Sequence, residues 1–410
     1  MKRKLFILIS ITCLIMGLSS CSTESLVFNI IDENIHDVDK YQYEEDIEDI
    51  SVPHMETETE EASEPLVSEA KLLAVGDIMF HMPQINSAKT ENGFDFTPPF
   101  KYVKKYIEDA DIAIANFETV TAGETLGFSG YPRFNSPKET ILGLKSVGFD
   151  ILSTVNNHSL DKNKEGIIGT INAIEEYGLK NIGTYKESSR QVHIHEVNGI
   201  KIGFIAYTSS LNGLDSLLSK EEHFMLNRID EQLILSDINR LKTERADIIV
   251  AFMHWGYEYF KEPTAYQVEL GRKMVDWGVN IVLGSHPHII QKSEIINKNG
   301  KDNLIVYSMG NFLSNQRYET MGNPYTEDGL MVEITLEKNL ENNDISIKDI
   351  NYIPTWIHRY KAQNRIQYDI LPIEEVIENG GIDNNLPTQI ISRLEKSLMD
   401  TMTTLNGQSN

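Results

Sequence analysis

Polar side chains that could bind metal ions follow five short apolar runs in this 410-residue chain. Each belongs to a residue type that commonly ligates divalent ions, and in chain order they are Asp77, Glu118, Asn157, His254, His286 and His288. A mixture of carboxylate, amide and imidazole donors suits Mn, Fe or Zn better than Ca, which prefers oxygen ligands alone. The set therefore predicts a site for one or two divalent metal ions.

The spacing of the last two histidines favours a two-ion arrangement. In extended backbone, residues 286 and 288 point the same way and lie roughly 7 Å apart. Two imidazoles at that separation can reach neighbouring ions about 4 Å apart. A carboxylate such as Glu118 can bridge two ions, while Asn157 supplies a neutral oxygen.

Taken singly, these residues have ordinary structural alternatives. Asp77 follows a glycine and Asn157 lies beside polar residues, so either can be a turn or cap residue. His254, next to Trp255, can be a hydrogen-bonded structural histidine. The complete set, rather than any one member, favours a metal site.

His158 directly follows the candidate ligand Asn157. From that position a histidine can protonate a leaving group or donate a hydrogen bond to developing negative charge. We therefore expect His158 to be catalytic. The structural alternative is that it packs between Asn157 and Asp161 as part of a turn.

The elements that would position these residues alternate along the chain. Short apolar runs at 72–75, 111–115, 150–155, 247–253 and 279–283 predict strands, and the candidate ligands lie at their ends. Between them, the patterns predict helices at 99–109, 137–147, 164–177, 230–244 and 263–277.

The strand-like runs from residue 192 onwards indicate antiparallel pairing as well. Asn198-Gly199, between two apolar runs, is a strong hairpin signal. A mixed α/β sandwich therefore fits better than a doubly wound parallel sheet. The sequence contains neither the Gly-rich dinucleotide fingerprint nor the phosphate-binding GxxxxGK[ST] loop.

The N-terminus has the features of a secretory signal. Lys2-Arg3-Lys4 precede an apolar run and then Leu18-Ser19-Ser20-Cys21, which resembles a bacterial lipobox. We expect residues 1–20 to be a lipoprotein signal peptide, Cys21 to be lipidated, and the protein to be anchored on the extracytoplasmic face of the cell membrane. An uncleaved anchor helix with an incidental cysteine is the alternative.

Negative charge is concentrated just after that cysteine. The formal net charge is -24, and residues 21–70 hold 16 acids against the single base Lys40. Their composition predicts an acidic disordered tether. The overall acidity argues against nucleic-acid binding, and two cysteines exclude both a disulfide scaffold and a structural zinc finger.

Six motifs in order make the globular part resemble a known family. They are Ala74-Val-Gly-Asp77, Asn116-Phe-Glu118, Asn156-Asn-His-Ser-Leu-Asp161, His254-Trp-Gly-Tyr-Glu-Tyr259, Gly284-Ser-His-Pro-His288 and Tyr307-Ser-Met-Gly-Asn-Phe312. This set resembles the CapA-type family of capsule, or poly-γ-glutamate, biosynthesis proteins. That family is similar to the calcineurin-like metallophosphoesterases, which implies a four-layer α/β/β/α sandwich. We place this domain at residues 71–355, followed by an extension at 356–410 with a helix near 385–400.

The resemblance also suggests individual roles. By position, Asp77 matches the first-motif aspartate and Glu118 the bridging carboxylate. Asn157, His254 and His286 resemble ligands of one ion. His288 then resembles a ligand of the other ion, and His158 resembles the catalytic histidine.

Two positions depart from the metallophosphoesterase pattern. The first motif is Asp-x-His in those enzymes, but here Met79 replaces the histidine. A thioether is a poor ligand for hard divalent ions, which weakens the expected ion near Asp77. His81 is a possible substitute. The bridging aspartate is also replaced by Glu118.

Three further motif residues suggest a substrate wall. Arg133 could grip a carboxylate or phosphate, or form an ordinary surface ion pair. Trp255 could line a cleft or be a core aromatic residue. Asn311 could orient a ligand or form a turn.

Together these inferences predict a surface lipoprotein of capsule or poly-γ-glutamate biosynthesis with a metal-dependent, hydrolase-like site. The expected partners are an anionic polymer or its precursor, the membrane through the lipid anchor, and a membrane synthase complex. One alternative is a non-catalytic scaffold that binds the polymer or a synthase subunit through a degenerate metal site. Another is a phosphatase unrelated to capsule, because one fold hosts many functions.

Overall fold

The computed structural model describes residues 66–362, 364–380 and 386–407. The predicted signal peptide, Cys21 and most of the predicted tether lie outside these ranges. Within them, two β-sheets pack face to face, and helices cover their outer faces. In the same ranges, no helix is both long and apolar enough to cross a membrane.

The first sheet has eight strands within the described ranges. They are β1 (Val67–Ile78), β4 (Ile112–Phe117), β5 (Ile151–Ser153), β6 (Lys180–Ile182), β13 (Asn311–Leu313), β14 (Asp328–Asn339), β15 (Ile345–Ala362) and β16 (Arg365–Pro372). Strands β1, β4, β5 and β6 run parallel, whereas β14, β15 and β16 extend the sheet in antiparallel pairs. A separate small hairpin joins β2 (Lys89–Thr90) and β3 (Gly93–Phe94).

The second sheet has six strands in the described part of the chain. They are β7 (His193–Val197), β8 (Ile200–Thr208), β9 (Ile248–His254), β10 (Ile281–Ser285), β11 (Ser293–Lys298) and β12 (Lys301–Val306). The predicted hairpin is present, since Asn198-Gly199 connects β7 to β8. Strands β8, β9, β10 and β12 are parallel, so their carboxyl ends lie at the same edge.

Six helices of the described residues lie close to where the sequence predicts them, whereas the short helices at 82–87, 318–321 and 373–378 were not predicted. In chain order, the helices are α1 (Met82–Ser87), α2 (Lys104–Asp109), α3 (Glu139–Ser146), α4 (Asn163–Glu176), α5 (Glu231–Thr243), α6 (Ala265–Trp277), α7 (Tyr318–Met321), α8 (Ile373–Glu378) and α9 (Thr388–Leu405). Short 3₁₀ turns occur at Pro98–Phe100, Glu124–Leu126, Asp215–Leu217, Lys220–Met225 and Pro324–Glu327. Local chemistry sets the ends of α6, where Thr264 accepts a hydrogen bond from Gln267 N–H and Gly278 ends the helix at φ +107°.

The central strands are continuously apolar because both of their faces are covered. Every residue of β4 and of β9 is buried. One core lies between the sheets, where residues such as Ile114 of the first sheet and Val250 of the second belong to the same apolar cluster.

Two further apolar clusters cover the outer faces. On the first sheet, Ala115 shares a cluster with Leu144 of α3. On the second, Val282 shares one with Met274 of α6. Helix, sheet, sheet and helix therefore follow one another, which confirms the predicted four-layer α/β/β/α sandwich.

Two of the predicted domain boundaries fall within the described residues, and each lies inside a strand. Strand β1 begins at Val67 and pairs with Asn339, so the boundary at residue 70 falls inside a strand. The boundary between 355 and 356 falls inside β15, whose Trp356 pairs with Leu371 of β16. The C-terminal segment continues the first sheet because its β15–β16 hairpin is hydrogen-bonded to it, and α9 covers this end of the sheet.

Candidate metal centre

The first sheet brings three of the predicted ligands to its carboxyl edge. Asp77 lies at the end of β1, Glu118 directly follows β4, and Asn157 lies in the loop after β5. All three side chains are buried. The backbone at Gly76 lies against the residue that precedes β13, since a Cβ at residue 76 would lie 2.0 Å from the Gly310 carbonyl oxygen. A side chain at residue 76 would therefore displace the strand that carries Asp77.

The second sheet supplies the three imidazoles. His254 is the last residue of β9, and His286 and His288 follow β10. The prediction that residues 286 and 288 are extended is wrong, since their φ angles are +95° and +57°. They lie in a tight turn with Pro287, whose carbonyl oxygen accepts a hydrogen bond from Tyr259 N–H at 2.8 Å. The ring centroids of the two histidines are nonetheless only 6.1 Å apart.

The donor atoms form two adjacent sets that share one carboxylate. In the first set, one donor atom each from Asp77, Glu118 and His288 lies within 4.8 Å of the other two. The second set joins Glu118 to His254 and His286 in the same way. Membership in both sets is what a bridging carboxylate requires, so the geometry can accommodate two neighbouring ions.

Asn116 holds the two carboxylates in place. Its Nδ2 donates to Asp77 Oδ1 at 2.8 Å and lies 3.1 Å from Glu118 Oε2. On the other side, Asp77 Oδ2 lies 3.0 Å from His288 Nδ1. Each carboxylate is thereby oriented by a neutral amide or an imidazole.

The centre retains buried polar atoms without hydrogen-bond partners among the described residues. They include Glu118 Oε1 and His286 Nδ1. Glu118 Oε1 is 3.8 Å from His254 Nε2 and 3.7 Å from His288 Nε2, too far for hydrogen bonds. Because buried polar atoms are nearly always paired, and these atoms are good metal donors, the residues fit divalent cations.

The electrostatics of the ligands point the same way. Burial, reinforced by the negative charge of Asp77, raises the pKa of Glu118 well above its usual range. Burial alone would raise the pKa of Asp77 too, but hydrogen bonding and charge from His288 outweigh it and lower that pKa.

Two of the imidazoles, those of His254 and His286, are held neutral. Burial, followed by the neighbouring histidines, lowers the pKa of His254 well below its usual value. The same causes lower the pKa of His286 to about 3. A neutral imidazole has a lone pair for a cation, so these side chains are in the form that ligates metals.

His158 lies beside the two sets and is oriented by an acid. Its Nδ1 is 2.8 Å from Asp161 Oδ2, which also accepts a hydrogen bond from Phe134 N–H at 2.6 Å. The predicted structural contact with Asp161 is therefore present. It also leaves Nε2 as the ring nitrogen available for proton transfer, because Nδ1–H donates to the carboxylate.

The predicted substrate residue Arg133 lies in an open groove next to Asp161. Its Nη2 donates to the Leu160 carbonyl oxygen at 3.1 Å and contacts Asn163 Oδ1 at 3.3 Å. The groove has a volume of about 530 Å³ and includes Lys162. Among the described residues Arg133 makes no ion pair, so the surface-pair alternative does not describe it.

The other two predicted substrate residues cannot contact a substrate in this structure. Trp255 is fully buried in the outer core of the second sheet, and its Nε1 donates to the Tyr307 carbonyl oxygen at 3.0 Å. Asn311 is also fully buried, and its Nδ2 donates to the Thr326 carbonyl oxygen at 2.9 Å. Both predictions are wrong because these side chains point into the protein and stabilise neighbouring backbone.

Met79 replaces the histidine of the Asp-x-His motif, and His81 is the residue suggested as its substitute. Met79 is buried, and its Sδ lies 3.9 Å from Ser314 Oγ. His81 does not replace the missing imidazole, since it belongs to neither ligand set. Its Nδ1 instead accepts a hydrogen bond from Asn315 N–H at 3.3 Å.

Sequence reasoning missed two residues near the centre. Asn156 links it to the His158 loop, because its Nδ2 donates to the Phe117 carbonyl oxygen at 2.9 Å and its Oδ1 accepts from His158 N–H at 3.1 Å. Glu258 has a carboxylate oxygen within 4.8 Å of donor atoms of His286 and His288. The sequence signal for Glu258 was its position in the same motif as His254, but no known spacing of metal ligands predicts a ligand there.

Comparison with known proteins identifies a family and related chains. The family model described as bacterial capsule synthesis protein PGA_cap matches residues 71–316. The capsule biosynthesis protein CapA of Bacillus anthracis is 29% identical over 277 residues, which cover 65% of this chain and 63% of that protein. The PGA biosynthesis protein CapA of Bacillus subtilis (strain 168) is 29% identical over 270 residues, covering 65% and 67%. The match thus spans less than two thirds of the length of the Bacillus anthracis protein.

Solved structures give a weaker likeness. The calcineurin-like phosphoesterase YfkN from Bacillus subtilis shares 15% identity, with 82% of this chain and 98% of that chain covered and a TM-score of 0.43. The four layers described above are defined by the apolar clusters of this chain itself.

Proposed function

Because this chain belongs to the bacterial capsule synthesis protein family, whose model matches residues 71–316, we propose that it acts in making an anionic surface polymer of the poly-γ-glutamate type. We propose further that it does so as a metal-dependent hydrolase. The observation that carries this proposal is the sharing of Glu118 by two sets of buried ligands.

In the proposed mechanism, Asp77, Glu118 and His288 would hold one ion, and Glu118, His254 and His286 would hold the other. Asn157, whose Oδ1 lies 3.1 Å from His254 Nε2, would join the second set. Divalent ions in these positions would supply Lewis-acid stabilisation to an anionic group of the substrate. The chain's own contribution is to fix the donors in buried, hydrogen-bonded positions and to shield them from bulk water.

His158 is the proton-transfer residue of this proposal. Asp161 Oδ2 lies 2.8 Å from Nδ1 of His158, so Nε2, when protonated, can donate a proton to a leaving group. The adjacent groove is lined by Arg133 and Lys162 and also by the acids Asp161 and Glu165. Arg133, which makes no ion pair among the described residues, is therefore the group that would bind an anionic polymer. The reaction class is hydrolysis of a phosphoester, or of an acyl linkage in the polymer.

We also propose that the protein is a lipoprotein anchored through Cys21 to the extracytoplasmic face of the membrane, where a synthase complex would be its partner. The motivating observation is the basic and apolar N-terminus ending in Leu18-Ser19-Ser20-Cys21. Metabolic labelling of cells with a palmitate analogue tests this, because the wild type should be labelled and Cys21→Ala should not.

The test of catalysis uses the purified full-length protein loaded with Mn²⁺, Fe²⁺ or Zn²⁺ and assayed on a phosphodiester and on poly-γ-glutamate. His158→Ala should lower turnover by about 10²–10⁴-fold without changing the metal content. His195→Ala, in the edge strand β7, is the matched control and should keep full activity.

The scaffold alternative has its own support in Met79, which removes one expected imidazole ligand. It makes a different prediction in the same experiment. Wild-type protein that binds metal and polymer but turns over neither substrate would favour the scaffold. Protein that binds no metal, with polymer binding unaffected by a chelator, would overturn both the metal centre and the hydrolase.

A further inference from the structure

A third group of donor atoms lies on the solvent side of the metal centre. It consists of a carboxylate oxygen of Glu258 and one nitrogen each of His286 and His288, all within 4.8 Å of one another. The two histidines are buried, whereas Glu258 is exposed. Glu258 is therefore the one acid of the three donor groups that approaches the centre from outside.

The segment that carries Glu258 is fastened to the histidine turn. On one side of Glu258, Gly256 has φ +88°, and a Cβ there would lie 2.6 Å from the Gln267 side chain. On the other side, Tyr259 N–H donates to the Pro287 carbonyl oxygen at 2.8 Å. Glu258 therefore lies between two fixed points.

Further contacts hold the rest of this segment. Gln316 Nε2 lies 3.2 Å from Tyr259 Oη, and Gln291 Nε2 donates to the Phe260 carbonyl oxygen at 2.8 Å. Lys261 Nζ lies 3.6 Å from the ring centroid of Tyr325. The backbone beside Glu258 is thus held in place while its side chain stays accessible.

Backbone strain is concentrated at the same place. Tyr259, His286 and His288 are non-glycine residues with φ of +66°, +95° and +57°. Such conformations are unfavourable for residues with a side chain and persist where the surrounding structure enforces them. Here they bring the Glu258 segment and the histidine turn together.

A buried polar atom in this group also lacks a partner. His286 is 7% exposed, and its Nδ1 has no hydrogen-bond partner among the described residues. Glu258 is the carboxylate that accompanies this histidine on the accessible side. A cation between them would satisfy both groups.

We propose that Glu258 is a further ligand of the metal centre, supplied from the exposed segment 256–261 and joining His286 and His288. This inference rests on the proposed metal centre. It gives the centre a third carboxylate in addition to Asp77 and Glu118.

Charge balance favours a third acid. Two divalent ions bring four positive charges, and metal-binding imidazoles are neutral. Asp77 and Glu118 together offset only two of these charges. Glu258 would leave a single excess positive charge, which a monoanionic group of the substrate can balance, and buried charges require such pairing.

Glu258 could also supply a ligand to the ion near Asp77, which lacks one expected imidazole because residue 79 is a methionine. That ion's set contains His288, which lies within reach of Glu258 as well. Among the described residues, no set of neighbouring donor atoms contains both Glu258 and Asp77. The exposed side chain of Glu258 must therefore rotate to reach the ion near Asp77. A third carboxylate shifts the donors toward oxygen, which suits Mn²⁺.

The test is a calorimetric titration of the metal-free full-length protein with Mn²⁺, with the number of bound ions checked by elemental analysis. Glu258→Gln should weaken the binding of at least one ion by about 10-fold or more, the lower end of the cost of outer-shell substitutions. Glu262→Gln is the matched control, because it removes the same charge from an exposed residue of the same loop. It should bind Mn²⁺ like the wild type.

The wild-type arm separates this inference from the proposed metal centre. Wild-type protein that binds no Mn²⁺ overturns the metal centre itself. If the wild type binds Mn²⁺ and Glu258→Gln has the same affinity and stoichiometry as Glu262→Gln, only the role of Glu258 is overturned.

A second readout does not depend on affinity alone. Amide hydrogen exchange of residues 256–261 should slow when Mn²⁺ is added to the wild type, because a ligated Glu258 restrains the segment. In Glu258→Gln this added protection should be lost, while the unfolding midpoint of the metal-free protein stays unchanged. Equal protection in both proteins contradicts the proposal.

Discussion

Glu118 and Asp328 are both fully buried carboxylates, but their surroundings differ. Asp328 accepts hydrogen bonds from Arg393 Nη2 at 2.8 Å and Ser397 Oγ at 2.6 Å, both on α9. Among the described residues no Lys or Arg pairs with Glu118, and its Oε1 has no hydrogen-bond partner there. The neighbouring Glu327 resembles Asp328, since Arg317 Nη2 lies 3.1 Å from it.

The difference separates a structural site from a functional one. Around Asp328 the protein supplies its own cation, so the acid is paired on folding and holds α9 against the sheet. Around Glu118 it supplies the amide of Asn116 and imidazoles instead of a guanidinium or ammonium group, so no permanent cation balances a buried negative charge. Because the acids in this region are buried without a Lys or Arg partner, the region is suited to bind a cation from solution.

The largest expected effect comes from removing the shared carboxylate. Glu118→Gln should weaken Mn²⁺ binding more than about 100-fold, beyond the usual cost of changing an outer-shell residue, because both ligand sets lose a member. Mn²⁺ at 100 times the wild-type Kd should stabilise the wild type by about 2.7 kcal/mol and the variant, at the same concentration, by no more than about 0.4 kcal/mol. Calorimetric titration and thermal unfolding with and without metal measure both effects.

Asp328→Asn is the control for that experiment, and it should keep the affinity for Mn²⁺ of the wild type. Glu118→Gln without metal should be at least as stable as the wild type, because it removes a buried acid that lacks a cation. A large loss of stability in metal-free Glu118→Gln would show that the carboxylate is a structural residue like Asp328.

The next largest effect is expected at the paired site. Arg393→Met should lower the free energy of unfolding by about 3 kcal/mol, since it leaves Asp328 buried without its cation. Urea denaturation at pH 7 measures the loss. Lys104→Met is the control, because Lys104 pairs with Glu108 on α2, where the two side chains are 44% and 54% exposed, and its removal should cause no measurable change. Equal effects of the two substitutions would contradict the contrast between buried and exposed pairs.

The smallest effect is a pH dependence of stability that belongs to Asp328. Burial raises the pKa of Asp328 to about 6, in spite of the opposing charge of Arg393. The folded protein therefore holds this proton more tightly than the unfolded chain, whose ordinary value is 3.8. The resulting stability is fully present below pH 3.8 and is lost as the pH rises through about 6.

Comparison with Asp328→Asn isolates this contribution. Between pH 4 and pH 7, the free energy of unfolding of the wild type should fall relative to the variant by an amount on the order of 2 kcal/mol. Urea denaturation of both proteins at several pH values in this range provides the measurement. Parallel pH profiles would mean that Asp328 titrates alike in the folded and unfolded states.

Much of the site's location could be predicted because it depends on strand ends. Apolar runs that end near Asp77, Glu118 and His254 form parallel strands, and the carboxyl ends of parallel strands meet at one edge. The metal-binding role of these residues stays a prediction that the experiments above address. The order of the four layers came from the family resemblance, since periodicity alone indicated only a mixed sandwich.

The remaining features depend on contacts that are distant in sequence. The left-handed backbone of His286 and His288 accompanies a hydrogen bond from Tyr259 to their turn, which no local pattern indicates. Trp255 follows a ligand yet points into the core, because the orientation at a strand end depends on the layer behind it. Glu258 was missed because it reaches the centre from an exposed loop.

The contact between Asp77 and His288 joins residues 211 positions apart, one from each sheet. Such a centre cannot exist until the two sheets have packed, so it forms late in folding, after the long chain closure between them. A cation that binds there would stabilise the native state but not the transition state that precedes it. Metal should therefore slow the unfolding rate while leaving the refolding rate unchanged, and the protein would resist heat or proteolysis kinetically.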